Sequence, residues 1–232
     1  MIRNEVGKGA IFLYIQLISS MVSGYIFLIL LARVTTTEII GTFSLVVSIS
    51  EIFANIAIIG LSDSIQKFVG KSFLQHNQAE AKLFVKISFI FLAIGVVVTC
   101  LVTILVRDWL SSVFGIGFLL IIVVDLLITS YALYTVLFSI VVASLKTKVL
   151  PVIIVISSIA KVILALSLVL SGYGIVGLTL GYTFFGQILS SILLGIWIVK
   201  LFKSTRKFTK QTVTLRNASK TLLIGGLVSW VP

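Results

Sequence analysis

Long uncharged stretches separated by short charged segments set the pattern of this chain. From Gly9 to Ala32 there are 24 residues without a charge, bounded by Lys8 and Arg33. A helix needs about 20 apolar residues to cross roughly 30 Å of hydrocarbon, so this block predicts a membrane-crossing helix. Five more blocks follow: Ile39–Gly60, broken only by Glu51; Ile87–Val106, with no charge; Phe118–Ser144, carrying Asp125; Pro151–Leu170, carrying Lys161; and Ile175–Val199, set off by the turn Gly172-Tyr173-Gly174. A seventh apolar run begins near Thr221 and stops at Pro232, too short to cross. The runs are continuous rather than alternating, which argues against the strands of a membrane barrel. The expected fold is all-α, with six transmembrane helices over 1–199, a basic linker over 200–220 and the start of a seventh helix over 221–232. The first block is longer than the apolar core of a signal peptide and no small-residue cleavage site closes it, so it reads as a retained span.

Composition removes the soluble alternatives. Of 232 residues, 59% are hydrophobic and 11% charged, and the mean hydropathy is +1.25. An average soluble domain is about 45–50% apolar and about 25% charged, and folding alone would leave roughly 30% of such a chain's surface in water. A soluble enzyme, a disulfide scaffold and a disordered chain are excluded.

The charge, +11 in total, is distributed unevenly. Counting cations in alternate loops places 15 on one side (Arg3 and Lys8, Lys67 to Lys86, Lys146 and Lys148, Lys200 to Lys220) and only Arg33 and Arg107 on the other. By the positive-inside rule the amino terminus and the 200–220 segment face the cytoplasm; a plasma membrane is the expected location. There they meet anionic lipid rather than nucleic acid, which would need a solvated basic face. The sequon Asn217-Ala218-Ser219 then falls on the cytoplasmic side and is accidental. In the loop after Gly60, Leu61, Ile65, Phe68 and Val69 recur at helical spacing, with Asp63, Lys67 and Lys71 on another face. This predicts that the second helix projects past Gly60 and lies partly in the headgroup layer.

Chemistry-bearing residues are few. Cys100 and His76 are the only cysteine and histidine, too few for a thiolate cluster or most transition-metal sites. No phosphate-binding glycine loop, nucleophile elbow or His-Glu-x-x-His pattern occurs, so no enzymatic activity and no cofactor are expected. Within the spans, three ionisable groups stand out: Glu51, Asp125 and Lys161. A charge at a helix centre costs about 2.5–3.5 kcal/mol on insertion scales, so such groups normally face a bundle interior. Each has polar neighbours at helical spacing: Ser44, Ser48 and Asn55 with Glu51; Thr129 with Asp125; Ser157 and Ser158 with Lys161. The first helix adds Gln16, Ser19, Ser20 and Ser23, and the sixth adds Thr183, Gln187, Ser190 and Ser191; the third helix is expected to carry no polar stripe. Two readings stand for the three charges, a substrate or ion pathway and a structural Lys–carboxylate pair. Gly177, Gly181, Gly186 and Gly195 are read as close helix contacts, and Trp109 and Trp197 as interface residues.

Three stretches carry a resemblance. LLARVTTTEIIGTFSLV, from Leu30 to Val46, holds Arg33, Glu38, Gly41 and Phe43 at a helix end and the loop after it. Ile59-Gly60-Leu61-Ser62 leads into the helical extension, and GYGIVGLTLGY spans Gly172 to Tyr182. In this order they resemble the polysaccharide (O-antigen type) flippases of the multidrug/oligosaccharidyl-lipid/polysaccharide transporter superfamily, which also holds the multidrug and toxin extrusion (MATE) proteins. The resemblance implies one six-helix lobe of a two-lobed carrier, with the second lobe missing here or on another chain. It implies alternating access to a polyprenyl-diphosphate-linked oligosaccharide, with membrane lipid around it and coupling to H⁺ or Na⁺. On that footing Lys161 binds the headgroup, Glu51 or Asp125 binds the coupling ion, and Asn55 and Gln16 join the pathway. A MATE-type drug or cation exporter and a non-transporting subunit or inactive fragment are the alternatives.

Overall fold

A computed structural model describes residues 2–75, 77–115 and 117–203. His76, the seventh-helix start, the sequon and the linker from residue 204 onward lie outside the described residues. The regular elements of the described residues are all helices: α1 (Ile2–Val34), α2 (Thr37–Ala57), α3 (Leu61–Ser64), π1 (Ile65–Val69), α4 (Gly70–Leu74), α5 (Gln78–Leu105), α6 (Arg107–Phe114), α7 (Phe118–Ala143), α8 (Val149–Leu168), π2 (Val169–Tyr173), α9 (Gly174–Gly181), π3 (Tyr182–Ile188) and α10 (Leu189–Lys203).

Five continuous helical stretches are long and apolar enough to cross a membrane: Gly7–Val34, Thr37–Ala57, Gln78–Leu105, Leu119–Ala143 and Val149–Lys203. The last has 55 residues and would run about 80 Å if straight. It does not run straight. Gly172 (φ 88) and Gly174 (φ 52) take left-handed backbone angles, which glycine adopts without a Cβ penalty. The chain folds back there, and α8 packs against α9, π3 and α10. Its two limbs coincide with the fifth and sixth apolar blocks, and Lys200–Lys203 extend the second limb rather than opening the linker.

α7 is the hub. It contacts α2, α5, π1, α10 and π3, and Leu127, Ile128, Val136 and Ile140 are almost fully buried. Its large apolar residues are spread around the circumference rather than gathered in one stripe, as expected of a helix with neighbours on several sides. α1 is the opposite, packed mainly on α8, with Tyr14, Met21 and Tyr25 exposed. So much outward-facing hydrocarbon on a folded bundle fits a helical membrane protein.

The extension past Gly60 differs from expectation. α2 ends at Ala57, and Gly60 at φ 61 redirects the chain into α3. Leu61, Ile65 and Val69, the stripe expected to face headgroups, are instead buried against α5 and α7. Apolar burial inside the bundle wins over a place in the polar headgroup layer.

Both chain directions meet at one basic end. Thr147 Oγ1 donates to Gly9 O at 3.1 Å, Lys148 lies over the Phe12 ring, and Phe73 stacks on Phe202. The α1 start, the α2–α5 turn, the α7–α8 turn and the α10 end are therefore neighbours, which collects the lysines of those segments as the loop count expects. At the other end α6, not foreseen from the pattern, buries Leu110 and exposes Trp109. A separate apolar cluster of Phe27, Leu31, Phe43, Ala165 and Leu178 seals the bundle there.

Candidate functional site

Between these two ends the helices diverge around a polar cavity of about 230 Å³. α1 supplies Ser20 and Ser23, α2 supplies Glu51, α7 supplies Tyr131 and Tyr134, α8 supplies Ser157, Ser158 and Lys161, and the second limb supplies Tyr182, Gly186, Gln187 and Ser190. Helical periodicity explains the convergence. On α8, Ser157, Ser158 and Lys161 are spaced at one and three residues, so they share a face. On the second limb the wide turn of π3 carries Tyr182, Gly186 and Gln187, and such turns re-aim side chains that a regular helix would place elsewhere.

Lys161 is the cation of the cavity. Its Nζ lies 5.2 Å from the Phe27 ring centre and 4.9 Å from that of Tyr182. Gly186 makes room for its stem: a Cβ there would lie 3.1 Å from Lys161 Cδ. Glu51 lines the same cavity, yet the one ion pair among the described residues is the exposed Arg107–Asp108 contact at 3.3 Å. The structural Lys–carboxylate pair is thus not formed. Aromatic faces flank the ammonium instead.

The hydroxyls and amides around it are tied down. Ser130 Oγ donates to Gln187 Oε1 at 2.5 Å, linking α7 to π3. Ser190 Oγ donates to Gly186 O, and Ser157 Oγ to Ile153 O. Phe27, Phe43 and Tyr182 form a mutually packed aromatic triad, with ring centres 5.3 to 6.0 Å apart. It stands between the cavity and the Arg33 end. The exposed rim residue, Ser20, lies on the basic-end side.

The other expected site residues fall elsewhere. Asp125 does not share this cavity. Its carboxyl accepts from Thr103 Oγ1 of α5, and Cys100 lies beside it. Tyr134 follows Asp125 by nine residues, about two and a half turns, which puts the carboxyl on the opposite side of α7. Thr129 Oγ1 donates to the Asp125 carbonyl rather than to its carboxyl. The third apolar block is accordingly not free of polar function: Ser88, Thr99 and Thr103 are buried on α5. Threonines four apart in an apolar block were the available signal. Asn55 is exposed, with Nδ2 donating to Glu51 O at 2.8 Å, and Gln16 is half-buried one turn beyond Ser20, outside the cavity lining. Ser44 and Ser48 are exposed with Asn55, so this part of the α2 stripe points away from the bundle.

Of the positions that carry the resemblance, Phe43 and Gly60 have structural reasons, as triad member and left-handed turn. Arg33 and Glu38 are exposed at the ends of α1 and α2, and a Cβ at Gly41 would meet nothing within 4 Å. The packing glycines divide. A Cβ on Gly181 would come within 2.6 Å of Ala165 Cα, whereas one on Gly195 would meet nothing within 4 Å, so Gly195 is not a close contact. Gly95, not singled out by its sequence, is the tightest, with Ala57 O at 2.0 Å from an added Cβ. Searches of protein-family models, of curated proteins and of solved structures return no match for this chain.

Proposed function

We propose that this chain forms one six-helix lobe of a plasma-membrane flippase that moves a polyprenyl-diphosphate-linked oligosaccharide by alternating access. The observation that carries the reading is a cation, Lys161, held by aromatic rings inside a polar cavity of a lipid-embedded bundle. A diphosphate is the chemical group that most opposes crossing hydrocarbon, and an ammonium is its simple counter-charge. Glu51 in the same cavity is the group suited to a coupling H⁺ or Na⁺. Asp125, on the other side of α7, serves the bundle rather than the substrate. The exposed polar stripe Ser44, Ser48 and Asn55 supports a second lobe facing α2, because such residues in a span normally meet another helix. The aromatic triad is the gate at the Arg33 end, and the gathering of lysines at the opposite end supports reading the Arg33 end as the outer one. A drug or cation exporter is the weaker reading, since its cavity would not present an unpaired lysine to a cationic substrate.

Translocation in proteoliposomes holding this lobe together with the second lobe of the carrier, with a fluorescent polyprenyl-diphosphate oligosaccharide, tests the proposal. Lys161→Gln lowers the rate at least tenfold, and Asp125→Asn leaves it within about twofold. A triple variant with Glu51, Asp125 and Lys161 made apolar that flips substrate at the parent rate overturns it, as does a parent rate equal to that of protein-free vesicles.

A further inference from the structure

The turn between α7 and α8 carries the one left-handed non-glycine among the described residues, Leu145 at φ 58. Such a backbone costs about 1–3 kcal/mol and persists only where its surroundings fix it. Here Ser144 Oγ donates to Val141 O at 2.7 Å and accepts from Lys146 N at 3.4 Å, and Thr147 is tied to Gly9 of α1. Lys146 and Lys148, both exposed, are thereby presented from a fixed backbone.

Two cavities flank the turn, and Leu145 and Lys146 line both. One, of about 480 Å³, adds Lys148, Val149 and Trp197. The other, of about 310 Å³, has Gln78 in its wall, and Gln78 Oε1 is buried with no hydrogen-bond partner among the described residues. An unpaired buried acceptor costs about 1–3 kcal/mol and calls for a donor from outside.

Charge at this place is one-sided. Neither lysine enters an ion pair among the described residues, and the chain after Lys203 holds no Asp or Glu. α8 starts with neither a side-chain cap nor an acid in its first turn, so the positive end of its dipole adds to the two ammonium groups. The occupant is an anion. Val149 and Trp197 indicate what else it carries. They stand where the apolar runs of α8 and α10 begin and end, and tryptophan at that level marks the membrane interface. Past them Val152 and Ile156 are exposed, one and two turns along α8. Charge among ammonium groups and hydrocarbon against helix side chains describe a phospholipid rather than a soluble phosphate.

We infer that the α7–α8 turn is a binding site for an anionic phospholipid with a hydroxylated head, of the phosphatidylglycerol type. Its phosphodiester sits between Lys146 and Lys148, its head hydroxyls donate to Gln78 Oε1, and its acyl chains pass Trp197 into the leaflet. The site lies at the basic end, apart from the central cavity, and stands whatever that cavity binds.

The test uses the full chain with Trp197 as its only tryptophan (W109F/W230F), in phosphatidylcholine vesicles with a low mole fraction of lipid brominated near the ester end of its acyl chains. Brominated phosphatidylglycerol is expected to quench Trp197 at least threefold more strongly than brominated phosphatidylcholine. Lys146→Gln with Lys148→Gln brings that ratio close to one. Lys200→Gln with Lys203→Gln, an equal loss of charge at the end of α10, leaves it above twofold. Equal falls for the two pairs would mean diffuse attraction of anionic lipid to a basic surface and overturn the site, as would a parent ratio near one. Brominated phosphatidylmethanol has the same charge and no head hydroxyl; it is expected to quench at least twofold less than phosphatidylglycerol, and Gln78→Leu erases the difference. Equal quenching by these two lipids in the parent overturns the role of Gln78 and with it the choice of head. Excess glycerol 3-phosphate is expected to leave the quenching unchanged; full displacement of the lipid would assign the turn to a free phosphate ester instead. An unchanged Trp197 emission maximum in pure phosphatidylcholine shows that each variant keeps the fold.

Discussion

The Lys161 ammonium faces the Tyr182 ring at 4.9 Å, and the same ring packs against Phe43 at 5.3 Å. One aromatic side chain thus serves both as support for the intramembrane cation and as part of the seal above it. Tyr182→Leu removes the face and is expected to lower stability by about 1–3 kcal/mol, combining cation–π and ring–ring losses. Tyr182→Phe keeps both and is expected to stay within about 0.5 kcal/mol of the parent. Unfolding in a mixed detergent series measures the pair, and equal losses for the two variants would remove the aromatic support from the argument.

Helix contact distances make a sharper prediction for the glycines. At Gly181 an added methyl would press on the Ala165 backbone, and at Gly95 on the Ala57 carbonyl. Neither neighbour is a flexible side-chain end. Gly95→Ala and Gly181→Ala are each expected to cost about 1–3 kcal/mol through overpacking. Gly195→Ala meets open space and is expected to be neutral or stabilising by up to about 1 kcal/mol, the helix-propensity gain. Thermal denaturation of the three variants in one detergent ranks them; a Gly195 variant as unstable as the other two would contradict the packing.

Asp125 is predicted to matter for folding, not for transport. Its carboxyl is bound to Thr103 across the α5–α7 contact, and Thr103→Val removes that partner while keeping similar bulk. The expected cost is about 1–3 kcal/mol, the penalty for an unsatisfied polar group away from water. Thr103→Ser restores the hydroxyl and most of the stability. Transport by Asp125→Asn near the parent rate, alongside a large loss for Lys161→Gln, would show that the two groups belong to different parts of the bundle.

How far the sequence reaches can be judged from these same residues. Charge spacing and hydropathy fix where the apolar helices lie, since each is a local count against the thickness of hydrocarbon, and the Gly172–Gly174 fold-back is announced by its glycines. Lys161 and Glu51 are legible as interior groups because an intramembrane charge has few other places to go. Which groups meet is a different matter. Asp125 and Lys161 look alike by burial argument, yet the facing of α7 separates them, and the rotation of a helix whose apolar residues are spread over all its faces has no sequence signature. The aromatic hold on Lys161 is likewise hidden, because Phe27 and Tyr182 are 155 positions apart in the chain and each reads as ordinary core. The tight contact at Gly95 depends on the carbonyl of Ala57, a backbone atom that no side-chain pattern reports.

The aromatic triad predicts an asymmetry of access. Phe27 and Phe43 are almost fully buried at 2% and 4% exposure, and they fill the space between Lys161 and the Arg33 end. The cavity's exposed rim, Ser20, lies toward the basic end. A thiol placed by Ser20→Cys is therefore expected to react with a charged, membrane-impermeant reagent added on the basic-end side, and to resist the same reagent added on the other. Phe43→Ala opens the triad without touching Lys161 and is expected to raise reaction from the Arg33 side at least fivefold, while leaving the first rate within about twofold. Cys100, beside Asp125 and outside the cavity, provides the internal reference and should respond to neither change. Labelling of the Ser20→Cys thiol at equal rates from both sides in the parent protein would mean that the triad does not close the cavity, and the alternating-access reading would lose its closed end.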